Sequence, residues 1–190
     1  MLTIQQVDFN NTQQTDELLS LLNAYALDPM GGGEPLPEAT QAVLIQEMAK
    51  RDGVYSFIAY HQRVNDRDTN TDVSTNADTN ANTNASAHPS KNRQAVGLVN
   101  CVEGFSTFAA KPLCNIHDIA VLPEYRGQGI AQALMRQVCE YAKQRGCCKV
   151  TLEVLTGNTR ARNAYRAFGF APYQLDPTLG SAEFWEFKLT

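Results

Sequence analysis

The chain has 190 residues, 43% of them hydrophobic, which is enough to bury a core and falls within the length that one domain ordinarily occupies. Its formal net charge of -4, with basic side chains scattered rather than clustered, excludes a sequence-independent grip on nucleic acid, which needs a basic face to release phosphate counterions. No stretch approaches the ~20 apolar residues of a membrane span, and Met1–Gln6 lacks the charged segment and long apolar run of an export signal. A cytoplasmic protein with no membrane partner is therefore expected. Cys101, Cys114, Cys139, Cys147 and Cys148 form an odd set without metal-type spacing, so reduced thiols and no metal are expected.

Leu2, Ile4 and Val7 predict a first strand, and Leu18, Leu22, Tyr25 and Ala26 recur at helical spacing behind it. Pro29 and the run Gly31–Gly33 break that helix. Pro35 and Pro37 open a second, with Leu44, Ile45, Met48 and Ala49 on one face. Val54 to His61 reads as a strand. From Asn65 to Arg93 the composition turns to Asn, Thr, Asp, Ala and Ser, too poor in large apolar residues to offset ordering entropy, and reads as a disordered insertion within one domain spanning residues 1–190. Its low charge and lack of aromatic residues mark it as inert, so deleting it should leave folding and cofactor affinity unchanged.

Strand character resumes at Ala95 to Val102 and again at Leu113 to Val121. A helix follows Pro123, with Ile130, Leu134, Val138, Tyr141 and Ala142 at a 3.6 period, and ends at Gly146. Val150 to Leu155 predicts a further strand. Asn158 or Thr159 caps a short helix carrying Ala161, Ala164, Tyr165 and Phe168, which Gly169 closes. Phe170 to Leu175 and Glu183 to Leu189 predict two last strands, the second by alternation of Phe184, Glu186 and Lys188 against Trp185, Phe187 and Leu189. The result is an α/β (α+β) chain with about seven strands and about four helices.

Arg126-Gly127-Gln128-Gly129-Ile130-Ala131 joins a strand to an amphipathic helix, which sets amides without intrahelical partners at the positive end of a helix dipole. Glycines there let a pyrophosphate approach the backbone, and Arg126 adds a charge-assisted contact. The triphosphate pattern fails because no Lys-Ser or Lys-Thr follows the glycines, and the dinucleotide pattern fails because Gln132 holds its third glycine position.

Arg126, Gly129 and Ala131, together with Asn158, Ala161, Tyr165, Gly169 and Phe170 downstream, resemble two motifs of the GNAT N-acetyltransferase superfamily, preceded by Ile119-Ala120-Val121-Leu122-Pro123. The resemblance is strong over Leu113 to Phe170. It implies a mixed, mostly antiparallel central sheet flanked by helices, and a transferase that uses acetyl-CoA as cosubstrate. It also implies that the backbone of Ile119, Ala120 and Val121 pairs with the pantetheine arm. Arg126, Gly127, Gln128, Gly129, Ile130 and Ala131 would hold the pyrophosphate, Asn158 would contact the arm from the other side, and Tyr165 would lie near the sulfur. Superfamily relatives are often dimers, so a homodimer is expected by analogy.

Direct transfer needs a neutral amine, yet an alkyl amine with a pKa near ~10.4 is unprotonated about once in ~10³ molecules at pH 7, a cost of roughly 4 to 5 kcal/mol. The site must lower that pKa by desolvation, and His117 or Asp118 is the candidate to take the proton. His117 is similar in position to a glutamate base of polyamine acetyltransferases, and Glu103 is the fallback. Tyr165 is the candidate acid for the departing thiolate, and an N–H near Val121 the candidate oxyanion donor. Cys114 lies on the cofactor strand with nothing beside it in sequence to activate it. Gly31–Gly33 reads as a rim over the acceptor cleft or a loose turn. Phe105-Ser106-Thr107-Phe108 is similar to a turn of the polyamine branch, or is a surface turn with one buried ring. The favoured acceptor is a primary amine on a small molecule. A protein lysine or N-terminus, and a non-catalytic acyl-CoA sensor, are the alternatives.

Overall fold

A computed structural model describes residues 1–62, 93–180 and 182–189. Five strands form one sheet in the order β1-β2-β3-β4-β5: β1 Leu2–Gln6, β2 Val54–Gln62, β3 Arg93–Ser106, β4 Lys111–Val121 and β5 Val150–Leu152. All neighbours are antiparallel except β4 and β5, which run parallel. Four α-helices accompany the sheet: α1 Thr12–Ala26, α2 Glu38–Ala49, α3 Ile130–Gln144 and α4 Thr159–Phe168.

The central strands are buried on both faces, and side-chain alternation divides them between two cores. Tyr55, Phe57, Ala59, Val99 and Cys101 face α3 and pack on its Ile130, Leu134, Met135 and Val138. Ile58, Tyr60 and Leu98 face the other way, onto Leu18, Leu21 and Leu22 of α1, with Leu44, Ile45 and Met48 of α2 at the margin. Local chemistry fixes the helix ends. The Asn11 side chain accepts from the Gln14 N–H at the start of α1, Pro37 precedes α2, and Gly169 closes α4 at φ 116°.

The mixed α/β architecture expected from the sequence is present, but with five strands among the described residues instead of about seven. Neither Phe170–Leu175 nor Glu183–Leu189 forms a strand. Alternation identifies a strand only when a neighbouring edge gives its two faces different surroundings. Here Phe184, Trp185, Phe187 and Leu189 are all exposed, members of both alternating sets alike.

The expected insertion lies outside the described residues except for Arg93, which opens β3. The Arg93 guanidinium stacks 4.0 Å over the Tyr60 ring, and its Nη1 donates to Gln5 Oε1. A deletion must therefore stop short of it. Phe105 and Phe108, at the β3–β4 turn, are both exposed, so that turn has no buried ring.

Two buried polar groups cross the sheet on the α1 face. Ser56 Oγ donates to Asn100 Oδ1 at 2.6 Å, and Asn100 Nδ2 donates to Asp118 Oδ2 at 3.0 Å.

Leu134 is fully buried between α3 and the sheet. Leu134→Ala should cost about 2–5 kcal/mol, read as a lower denaturant midpoint at unchanged slope.

Candidate functional site

The site begins where the sheet opens. β4 pairs with β5 only over Cys114–Ile116, so from Asp118 to Val121 it is paired with β3 on one side alone, His117 falling at a break in the β3 register. The Leu122 N–H donates to Val96 O, and alternation therefore turns the N–H and C=O of Val121 away from β3, toward the gap. Gly97 lies directly beneath. A Cβ there would come within 2.9 Å of Ala120 O and 3.3 Å of Val121 Cγ2, so only glycine lets β3 approach this stretch of β4 so closely.

After β4 a short 3-10 turn, Pro123–Tyr125, leads to Arg126 and α3. Gly127 and Gly129 have φ of 78° and 77°, and Gly129 caps α3 without any side-chain hydrogen bond. The first amides of α3 thus face the gap with no capping side chain. Glycine is required here by its left-handed conformation, since a Cβ at Gly127 would meet nothing within 4 Å. On the far side of the gap Asn158 caps α4, its side chain accepting from the Ala161 N–H at 3.1 Å.

These parts surround one cavity of about 360 Å³, within the range of small-ligand sites. Ile119, Ala120 and Val121 form its floor, and Arg126, Gly127, Gly129, Ile130 and Ala131 its α3 end. Asn158, Ala161 and Tyr165 close the α4 side. Of the residues singled out for the cofactor, only Gln128 lies outside the lining, exposed, with its amide donating to Glu124 O.

Arg126 does not stand free. Its Nε donates to Val121 O at 2.9 Å and its Nη2 to Asp28 Oδ2 at 2.8 Å. Asp28 organises the turn after α1: its carboxylate accepts from the Met30 N–H, and its carbonyl oxygen accepts from the amides of Gly31 and Gly33. The glycine run is thus a hydrogen-bonded turn pinned to Arg126. The Met30 N–H and then Arg126 hold the Asp28 carboxyl below the usual carboxylate range.

Tyr25, Asp28, Met30, Gln132, Arg160 and Ala164 also line the cavity and were not singled out from the sequence. Tyr25 shares an apolar helical stripe with Leu18 and Leu22, which conceals its role. The glycine run was the one signal near Asp28. Burial, with Asp118 and Asp28 nearby, pushes the Tyr25 phenol up. Burial likewise pushes Tyr165 up to about 12, with Tyr25 as the second cause. Tyr25 therefore lies near both carboxylates and near Tyr165.

His117 is exposed and, like Asp118, outside the cavity lining. Asp118 lies on the α1 side, tied to Asn100 and close enough to act on Tyr25. Glu103 lies toward the opposite end of β3, opposite Cys114, and its carboxylate accepts from Arg145 Nε at 2.6 Å. Cys114 is in the core facing α3. A hydrogen bond from Cys101 pulls its thiol down, but full burial keeps it from the cavity. Among the described residues no group of three or more His, Cys, Asp or Glu side chains converges as a metal site.

Residues 59–170, more than half of the chain, match the model of the acetyltransferase (GNAT) family. Streptothricin acetyltransferase of Streptomyces lavendulae is 39% identical over 93 residues, which is 47% of this chain and 49% of that protein. Thialysine N-epsilon-acetyltransferase of Bos taurus is 46% identical over 54 residues, 28% of this chain and 32% of that protein. The matches to these curated relatives span a third to a half of their lengths. Among solved structures, AAC(6')-Iy in complex with a bisubstrate analogue superposes with a TM-score of 0.64 at 17% identity, covering 100% of this chain and 99% of that one. A transcriptional regulator from Bacillus halodurans superposes at 0.66 and 18% identity, covering all of both chains.

Gly129→Ala would force a β-carbon into a left-handed residue at about 1–2 kcal/mol. That cost falls on the folded chain with or without a ligand, so it should read as a lower denaturant midpoint at unchanged slope. The chain belongs to the acetyltransferase (GNAT) family.

Proposed function

We propose that the protein transfers an acetyl group from acetyl-CoA to a primary amine on a small molecule, by direct attack with both substrates bound. The observation that carries this reading is one cavity that joins the unpaired edge of β4, the uncapped start of α3 and Tyr165. An extended amide-bearing arm suits a strand edge whose N–H and C=O groups lack a neighbour. A pyrophosphate suits helix amides flanked by glycines and an arginine. The donor set therefore fits CoA: Ile119–Val121 for the arm, Arg126 to Ala131 for the phosphates and Asn158 opposite. Acetyl-CoA supplies the activated acyl group.

Fold alone does not decide the activity, because the fold neighbours include both acetyltransferases and a transcriptional regulator. The names of the curated relatives, streptothricin and thialysine acetyltransferases, favour small amine acceptors.

In this reading the chain has three tasks. The cavity strips water from the amine and lowers its pKa, and Asp118, held by Asn100, draws off the proton through water. The Val121 N–H, turned toward the gap, steadies negative charge on the acyl oxygen. Tyr165 stays protonated, its hydroxyl aimed at charge developing on sulfur. With Tyr165 near 12 and a thiol near ~8.5, complete proton transfer would be uphill by roughly 5 kcal/mol at ~1.36 kcal/mol per unit, so Tyr165 acts by hydrogen bonding.

The test is thiol release from acetyl-CoA with diamines, polyamines, aminoglycosides, amino acids and a lysine peptide, wild type against Tyr165→Phe. Acceptor-dependent release that falls about 10- to 10³-fold in the variant supports the transferase and the role of Tyr165. The wild-type kcat/KM should rise with pH as the free amine loses its proton near ~10.4, without loss through Tyr165 until pH approaches about 12. CoA binding with no release from any acceptor would favour a sensor.

A further inference from the structure

Arg126 and Asp28 meet inside the cavity, and each belongs to a different half of it. Arg126 adjoins the α3 amides at the phosphate end, while Asp28 lies just past the end of α1, near Tyr25, and lines the same cavity as Tyr165. Their 2.8 Å ion pair is partly shielded, with side chains 30% and 22% exposed. The same guanidinium donates to Val121 O, one of the backbone groups turned toward the gap. As the structure stands, Arg126 therefore occupies a strand-edge acceptor suited to the arm and neutralises a carboxylate suited to a cation.

We propose that Asp28 binds the second cationic group of a diamine-type acceptor, and that Arg126 masks it until the phosphates of CoA draw the guanidinium away. This rests on the acetyltransferase reading above. A pyrophosphate at Gly127–Ala131 competes with Asp28 for the guanidinium, with more charge and with the helix amides already facing it. Release of Arg126 leaves the Asp28 carboxylate anionic and fixed, because the Met30 N–H and the two glycine amides hold its turn independently of Arg126. A carboxylate held in place and freed of its hydrogen-bonded counter-ion, with Arg160 acting on it only through space, attracts an alkylammonium group, while the other nitrogen of the acceptor reaches the Tyr165 end. The acceptor class that follows is an amine with a second positive centre a few carbons away. A monoamine gains nothing from Asp28.

Coupling of this kind is reciprocal, and calorimetry reads it without catalysis, using CoA and 1,4-diaminobutane as probes. In the wild type the diamine should bind about 5-fold or more tightly with saturating CoA than without it, while butylamine shows no such gain. Asp28→Asn keeps an acceptor for the Met30 N–H but removes the charge. It should abolish the diamine coupling and, by freeing Arg126, bind CoA several-fold tighter, on the order of the coupling lost. A purely structural Asp28 predicts the reverse, weaker CoA binding in the variant. Asp28→Ser, which can also accept from Met30, repeats the test, and matched thermal midpoints show that both variants fold. Equal diamine affinity with and without CoA, or unchanged or weaker CoA binding in both variants, overturns the proposal. A wild-type protein that fails to bind CoA overturns the acetyltransferase reading instead, and this inference with it.

Discussion

The parting of β4 from β5 after Ile116 is the constraint on which the rest of the site depends. A strand inside a sheet satisfies its polar backbone on both edges, and leaving buried N–H and C=O groups unpaired costs on the order of 1–3 kcal/mol each. Here β4 continues to Val121 with β3 on one side and an open gap on the other. Two features keep it open: the sheet pairing of β5 ends at Leu152 after three residues, and the chain then turns through Gly157 into α4. The opposing wall is thus a helix, whose side chains face the gap without closing it by hydrogen bonds. Arg126 already places one donor on that edge, at Val121 O.

Packing elsewhere makes the gap reproducible. α3 is seated by Ile130, Leu134, Met135 and Val138 against β2, β3 and β4, which fixes its uncapped end beside the strand edge rather than merely near it. Gly97 brings β3 so close beneath Ala120 and Val121 that the floor has little room to shift. On the opposite face α1 rests on Ile58, Tyr60 and Leu98 and carries Tyr25 and the Asp28 turn to the cavity mouth. A sheet buried on both sides thus holds three elements, distant in sequence, against one opening.

Contiguous features were legible in the sequence. Arg126 to Ala131, Asn158 and Tyr165 carry their geometry in local spacing, and the periodicity of α1, α3 and α4 places them without knowledge of the tertiary fold. Residues brought in by packing were not. Tyr25 is one more apolar-stripe position until α1 is laid on the sheet, and Asp28 is an ordinary residue before a proline until Arg126, 98 positions later, reaches it. The C-terminal segment fails in the opposite way: Glu183 to Leu189 has the period of a strand, but period creates no partner. Gly127 and Gly129 suggest close approach from the sequence, and the fold adds a second demand for glycine, a positive φ at each.

The acid–base assignment shows how little residue type decides on its own. A histidine on β4 attracts attention because the residue type suits proton transfer near neutral pH, yet His117 is exposed to solvent. Asp118, its neighbour, is turned by alternation onto the α1 face, where Asn100 anchors it and Tyr25 feels its charge. A carboxylate is a weak base for an ammonium ion in water. Where the cavity has already lowered the amine's pKa, it needs only to accept a proton that desolvation has made easy to lose. In the proposed transfer, that places most of the ~4 to 5 kcal/mol cost of a neutral amine on the cavity's exclusion of water from the amine, and makes the walls contributed by α1 and α4 as chemically consequential as any titrating side chain.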